Sequence, residues 1–290
     1  MKRLILIDFS WLYNRYFYVA SYNASASDEP VDIGASLERM LTQFLLLVHR
    51  SYPSARVLLA LDPATSSLKN RSIFEGYKQN RNKEAKKEVY CYIVDIIKAL
   101  SAKLDSEVFS FIKERGYEAD QLLACIVKRY YETHEIIIYS GDKDLLQLTS
   151  YPNTYIADKF EKGKFLIKTD EEIFQKFKNS KGEDFSRIST NKRDILKYRS
   201  LKGDPSDNLS SVFPRIKDKE IAEIIQNHWV DNQEEPLTEE RIDKIIEDDL
   251  KHENPILAEK LRENKEIWLR NYKIMDLLHI DEINIKRLKQ

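Results

Sequence analysis

The sequence predicts an α/β fold, a parallel sheet flanked by helices, with a smaller helical region towards the C-terminus. Three observations predict it. Residues 4–7, 57–61 and 136–139 are short aliphatic runs that read as buried strands. Amphipathic helical stretches separate them, as the crossovers of a parallel sheet require. About the last third of the chain is helical in pattern. A soft boundary near residue 192 divides an α/β domain, 1–191, from a helical one, 192–290.

Taken in order, Arg3–Asp8 is a strand closed by a carboxylate, and Phe9-Ser10-Trp11-Leu12 opens a helix with Ser10 as its cap. Residues 33–50 form an amphipathic helix, with His49 a helix-terminal residue rather than a ligand. Residues 56–62 repeat the first pattern and end at Asp62. From 66 to 115 the character changes. Lys69, Arg71, Lys78, Arg81, Lys83, Lys86 and Lys87 crowd together, with Phe74 and Tyr77 among them. Helical spacing puts Arg71 and Lys78 on one face. Residues 90–112 read as a further amphipathic helix leading to Gly116.

Residues 119–131 read as a helix, because Leu122, Leu123, Ile126 and Val127 fall at helical spacing. The run 136–139 is a strand that meets the turn Ser140-Gly141-Asp142. Residues 151–168 give turns and two short strands. Thr169–Glu172 opens a helix with a partial capping box, 182–191 is a polar loop, and 192–201 is a helix. GDPSDN at 203–208 is turn-rich. KEIAEIIQNHW, EERIDKIIEDDL and NPILAEKLRENKEIWLRNYKIM are helical, and the final NYKIMDLLHIDEINI packs back on the first domain.

The chain has 290 residues, 42% apolar and 33% charged, with a net charge of −1. That supports a substantial core under a charged surface and excludes no partner class by charge alone. Cys91 and Cys125 form no CxxC pair and no zinc spacing, so a reducing, cytoplasmic setting is expected. Asp8 interrupts the first apolar run too early for a signal peptide, and no run is long enough to cross a bilayer.

Strand ends carry the chemistry. In a parallel sheet, ligands bind beyond the carboxyl ends of the strands. Asp8, Asp62, Asp142 and Asp144 fall there, and Glu118 and Asp120 begin the helix that precedes the third strand. Asp204 and Asp207 add two more acids. Each pair alone also fits plain helix starts and turns. Together, eight unpaired carboxylates are costly unless cations share them. Oxygen ligands without His or Cys favour Mg²⁺ or Mn²⁺ over zinc, and two such ions suit phosphodiester chemistry. The segment 66–115 suits a phosphate backbone with a base or sugar on an aromatic ring; a solvated helix balanced by Glu75, Glu84 and Glu88 is the other reading.

Ile7-Asp8-Phe9-Ser10, Leu61-Asp62, GYKQNR at 76–81, GYEAD at 116–120, SGDKDLLQL at 140–148 and KGDPSDN at 202–208, in this order, give a resemblance. The chain resembles the structure-specific 5′ nucleases: flap endonucleases, the 5′–3′ exonuclease domain of bacterial DNA polymerase I, and phage 5′ nucleases. Within them it looks most like the RNase H branch of T-even bacteriophages, which removes RNA primers and adjacent DNA during lagging-strand synthesis.

The resemblance implies a parallel-sheet nuclease core of the PIN-like, 5′–3′ exonuclease kind, with a helical arch at 66–115 and a modified helix–hairpin–helix in the smaller domain. It implies a first Mg²⁺ site at Asp8, Asp62, Glu118 and Asp120 and a second at Asp142, Asp144, Asp204 and Asp207, with Mn²⁺ able to substitute. Lys78 and Arg81 match a basic pair on the scissile phosphate, and Tyr77 an aromatic near the 5′ nucleotide. Lys69, Arg71, Lys83, Lys217 and Lys219 are the expected further nucleic-acid contacts. Implied substrates are branched or nicked DNA and RNA–DNA hybrids with a 5′ end. Implied partners are a replication clamp or a single-strand-binding protein. A monomer is expected, in the host cytoplasm if phage-encoded.

Two positions depart from the family pattern. Gln121 stands where bacterial relatives carry a fourth acid. Ser210–Ile216 lacks the hairpin glycines, which argues against the usual close backbone approach to phosphate. A shorter PIN-like ribonuclease and a catalytically silent junction-binding protein remain the alternatives at this point.

Overall fold

The computed structural model describes residues 1–177, 188–229 and 235–287. Seven strands form one sheet among the described residues: β1 (Lys2–Asp8), β2 (Arg56–Ala60), β3 (Phe109–Lys113), β4 (His134–Tyr139), β5 (Thr154–Glu161), β6 (Lys164–Ile167) and β7 (Lys286–Arg287). The spatial order is β6-β5-β4-β1-β2-β3-β7. Strands β1 to β5 run parallel, and β6 and β7 close the edges antiparallel.

The central strands are buried on both faces, and their side chains alternate between two cores. Leu4, Leu6, Leu58, Ile136 and Ile138 join one cluster. Ile5, Ile7, Val57, Leu59, Ile137 and Tyr139 join the other. The second face is covered by α1 (Phe9–Ser25), α2 (Ile33–Ser51) and, beyond the short α3 (Leu68–Ile73) and α4 (Lys83–Tyr90), by α5 (Ile93–Lys103). The first face is covered by α6 (Ala119–Tyr130) and by the C-terminal helices, which share one cluster with it.

Asp8, not Ser10, caps α1: its carboxylate accepts the Trp11 N–H at 2.9 Å. Ser10 instead accepts the Asp62 N–H at 3.0 Å. Helix α5 ends at Lys103, so the helix expected through residue 112 is cut short, and 109–113 becomes a sheet strand. The arch segment therefore contains a piece of the core. After β6, Thr169 and Glu172 complete a capping box at the start of α7 (Asp170–Phe174). The loop expected at 182–191 lies outside the described residues up to 187.

The helix expected at 192–201 is α8 (Asp194–Lys202). The stretch after Met275 does return to the sheet side. Lys128 donates to the Ile280 carbonyl, Tyr151 to that of Leu278, and β7 pairs with β3. No described helix is long and apolar enough to cross a membrane.

Candidate active site

The carboxyl ends of β1, β2 and β4 and the start of α6 surround a cavity of about 420 Å³. Asp8, Asp62, Glu118, Asp120 and Asp142 all line it, together with Lys78 and Arg81. Asp8, Asp62 and Asp142 each accept a backbone N–H. Asp8 accepts from Trp11 N–H and, through its other oxygen, from the Ser140 hydroxyl at 2.9 Å. Asp62 accepts from the Ala119 N–H at 2.8 Å, which ties the end of β2 to the start of α6. Asp142 accepts from the Asp144 N–H at 2.9 Å.

The charges are crowded. Burial, then Asp62 and Asp142, push the Asp8 carboxyl up to about 7. Asp142 reaches solvent at the lip, yet loss of hydration and the neighbouring Asp144 push it up to about 6. Burial and Glu118 also raise Asp120 well above the usual carboxylate range.

A second group lies beside the first. Asp144, Asp204 and Asp207 each offer an oxygen, and these lie within 4.8 Å of one another. This group is already paired with cations. Arg199, on α8, donates to Asp144 and to Asp204, the guanidinium 2.6 Å from each carboxylate. Asp204 also accepts from Ser206 N–H and hydroxyl. Burial raises the Asp204 carboxyl, but Arg199 and Ser206 outweigh it and hold the group below its ordinary value.

The loop GYKQNR joins the two groups. Tyr77 donates its hydroxyl to Glu118 at 2.7 Å and lies 3.0 Å from Asp207. Lys78 lies 2.6 Å from Glu118 and 3.6 Å from Asp207, and Arg81 bonds Asp207 at 2.5 Å. The backbone holds this arrangement. Lys78 has φ +55°, its N–H donates to the Asp207 carbonyl at 3.0 Å, and Asn208 donates to the Gly76 carbonyl at 2.8 Å. A left-handed lysine is uncommon, and such strain concentrates at functional sites. Desolvation pulls the Lys78 ammonium down, but Glu118 and Asp207 more than offset it, so the group stays protonated.

The family profile described as "5′-3′ exonuclease, N-terminal resolvase-like domain" matches residues 3–178. The chain belongs to that 5′-3′ exonuclease family. It is 26% identical over 211 residues to a 5′-3′ exonuclease of Mycoplasmopsis pulmonis, covering 73% of this chain and 62% of the relative. It is 27% identical over 184 residues to the Ribonuclease H of Enterobacteria phage T4, covering 59% and 58%. The match thus spans about three-fifths of either relative. Its fold is that of the phage T5 D15 protein co-crystallised with metal ions (TM-score 0.63, 16% identity, 95% and 90% coverage). It is equally like a T5 D15 flap endonuclease in a product complex with DNA and metal ions (TM-score 0.61, 18% identity, 95% and 89% coverage).

Within this exonuclease-family site the residues fit divalent cations. The donors are all carboxylate oxygens, and burial together with the neighbouring carboxylates Asp62 and Asp142 raises the Asp8 group, a charge crowding that a divalent cation would relieve. Gln121, the departure from the acidic pattern, has a structural job. It accepts the Glu118 N–H at 3.0 Å and donates to Asn70, which in turn donates to Glu118.

Tyr77 does not stand where a stacking residue must. Its ring is buried, 3% exposed, because its hydroxyl is drawn inward by two carboxylates. Lys69 stacks over Tyr117, 5.1 Å from the ring, and Arg71, Lys217 and Lys219 are exposed. None of these four lines the acidic cavity. Lys83 begins α4, and its side chain lies outside what the structure describes.

The sequence reading missed Arg199 and the aromatics Trp11, Tyr18 and Tyr90 that line the cavity. The signal for Tyr18 was its place seven residues after Trp11, on the same face of α1. Arg199 carried none beyond standing five residues before Asp204.

Proposed function

We propose that this chain is a divalent-metal-dependent 5′ nuclease. It hydrolyses phosphodiester bonds at 5′ ends and 5′ flaps of DNA and at RNA primers on DNA. The observation that supports it most is the reach of Lys78 and Arg81: two cations on one loop touch carboxylates of both acidic groups. A phosphate entering the cavity meets positive charge at the point where the two groups join.

Asp8, Asp62, Glu118, Asp120 and Asp142 would hold one Mg²⁺, and Asp142 with Asp144, Asp204 and Asp207 a second, with Mn²⁺ able to replace either. Bound there, the ions supply an activated water and charge neutralisation at the leaving oxygen. Lys78, kept protonated by its neighbours, pairs with a non-bridging oxygen of the scissile phosphate. Arg81, half exposed, swings from Asp207 onto the same phosphate. Tyr77 fixes the distance between Glu118 and Asp207. In this reading residues 1–191 carry most of the reaction centre, and 192–290 bring Asp204 and Asp207 and meet duplex phosphates through Lys217 and Lys219. The similarity to a phage Ribonuclease H supports including RNA-primed substrates.

The test is release of product from 5′-labelled flap, nicked and RNA-primed duplexes in Mg²⁺. Cleavage that requires a 5′ end and disappears in Asp142→Asn supports the proposal. Unchanged cleavage by Asp142→Asn sinks the assigned roles. Preference for single-stranded RNA without 5′-end dependence makes the chain a ribonuclease instead, and tight flap binding without cleavage makes it a junction binder.

A further inference from the structure

A second cavity, of about 510 Å³, opens at the opposite end of the sheet. Strand β1 runs from one to the other: Lys2 lines this cavity and Asp8 the acidic one. Six residues of extended chain put them about 20 Å apart. The two cavities have opposite chemistry. Lys2, Arg3, Arg56 and Arg129 line the far one, and no carboxylate does. Aliphatic side chains of β1, β2, β3 and α6 form its floor. Tyr130 and His134 stand at its edge with their rings 5.2 Å apart.

The cations differ in what already answers them. Arg3 pairs with Glu135 at 2.6 Å and Arg129 with Glu282 at 2.8 Å. Lys2 and Arg56 make no side-chain hydrogen bond or ion pair among the described residues. The Arg56 Nε is shut off from solvent and has no acceptor. Arg56 lines the cavity with no carboxylate to answer its charge, and a guanidinium fork suits phosphate in particular. The cavity lies within the size range of small-ligand sites, roughly 300–1,000 Å³. Its apolar floor and the Tyr130 ring suit a ligand with a flat or apolar body behind the anion.

We propose that this cavity binds a small phosphate ester of nucleotide size, with the phosphate on Arg56 and Lys2 and the body over the aliphatic floor against Tyr130. The site is separate from the acidic rim, needs no metal, and does not depend on the nuclease reading.

The test is calorimetric titration of the full chain in EDTA with 2′-deoxyadenosine 5′-monophosphate, deoxyadenosine and inorganic phosphate. The monophosphate binds saturably, and the unphosphorylated nucleoside binds at least about tenfold more weakly, the loss of one charge-assisted contact of roughly 1.4 kcal/mol. Arg56→Gln weakens the monophosphate about tenfold, and the exposed Lys2→Gln does so in the same direction without threatening the fold. Asp142→Asn leaves binding unchanged. A short 5′-phosphorylated oligonucleotide is then used as competitor. Competition assigns the site to strand ends and failure to compete assigns it to free nucleotides, and either supports a phosphate-ester site. The proposal is overturned if nothing binds at millimolar concentration. It is overturned as well if binding ignores both Arg56→Gln and Lys2→Gln, or if Asp142→Asn abolishes it.

Discussion

Lys78 and Glu118 meet at 2.6 Å, an ammonium on a left-handed loop residue against the carboxylate that begins α6. The contact keeps Lys78 charged, which in the proposed reaction suits a phosphate clamp and not a proton acceptor. Lys78→Ala is expected to lower kcat about 10²-fold, the scale of one lost transition-state donor, with a much smaller effect on KM. Lys78→Arg restores part of the rate because it restores charge. Steady-state kinetics on a labelled flap check this; equal losses in kcat and affinity would reduce Lys78 to an electrostatic tether.

The Asp8 carboxyl sits at about 7 and Asp142 at about 6, both above their values in an unfolded chain. Groups raised in this sense support the metal-free fold fully at acidic pH, below the unfolded pKa. That support is lost as pH climbs through the folded values. The thermal midpoint in EDTA is therefore expected to fall between pH 5 and pH 8. The midpoint gained on adding Mg²⁺ grows over the same interval, since deprotonated carboxylates bind the ion. Asp8→Asn flattens both trends. Scanning fluorimetry with and without Mg²⁺ measures all three, and a pH-independent Mg²⁺ gain would contradict the reading.

Arg199 is the counter-ion of the second acidic group, mostly buried and shared between Asp144 and Asp204. Removing it leaves carboxylates facing one another. Arg199→Ala is expected to cost about 3 kcal/mol in metal-free urea unfolding, the scale of a broken buried ion pair. Saturating Mg²⁺ is expected to recover a good part of that loss. A loss identical with and without Mg²⁺ would show that Arg199 only packs.

Much of this was legible in the sequence, for reasons that particular residues make plain. The runs 4–7, 57–61 and 136–139 are buried on both faces, so they read as unbroken aliphatic segments. Strand β3 was hidden because Leu100, Leu104, Val108 and Ile112 keep a four-residue spacing across the true end of α5 at Lys103. Helical periodicity therefore ran on where the backbone had already turned. The acids of the rim could be found because they end strands or begin helices. What holds them could not: the Arg199 bridge and the inward turn of Tyr77 depend on segments 55 and 130 residues apart packing together. Local pattern carries no record of such contacts.

Tyr18 and Tyr22 lie one turn apart on α1, 62% and 72% exposed, and Tyr18 lines the acidic cavity. Rings so exposed beside the proposed nuclease site suit stacking on a single strand, at about 1–3 kcal/mol per base. With Tyr77 buried, they are the better placed aromatics. The double replacement Tyr18→Ala, Tyr22→Ala is expected to raise KM for a long 5′ flap about tenfold or more while leaving kcat and the fold unchanged. A nicked substrate without a flap shows little change. Equal effects on both substrates would remove the single-strand role.

Gly203 sets the geometry of the loop that presents Asp204 and Asp207. Its φ is +74°, and a Cβ there would stand 2.5 Å from the backbone of Ser210. Asp204 and Leu209 exchange two backbone hydrogen bonds, at 2.8 and 2.9 Å, directly beyond it. A side chain at 203 must spread this closed loop and move both carboxylates away from Asp144. Gly203→Ala is expected to cost about 2 kcal/mol or more from backbone strain and overlap, and to lower the rate beyond what its folded fraction explains. Gly163→Ala is the control. Its φ is +77°, but its Cβ meets only the Ser51 side chain, at the β5–β6 turn. That variant loses stability and keeps its specific activity. If Gly203→Ala also kept full specific activity per folded molecule, the placement of Asp204 and Asp207 by this turn would not matter to the reaction.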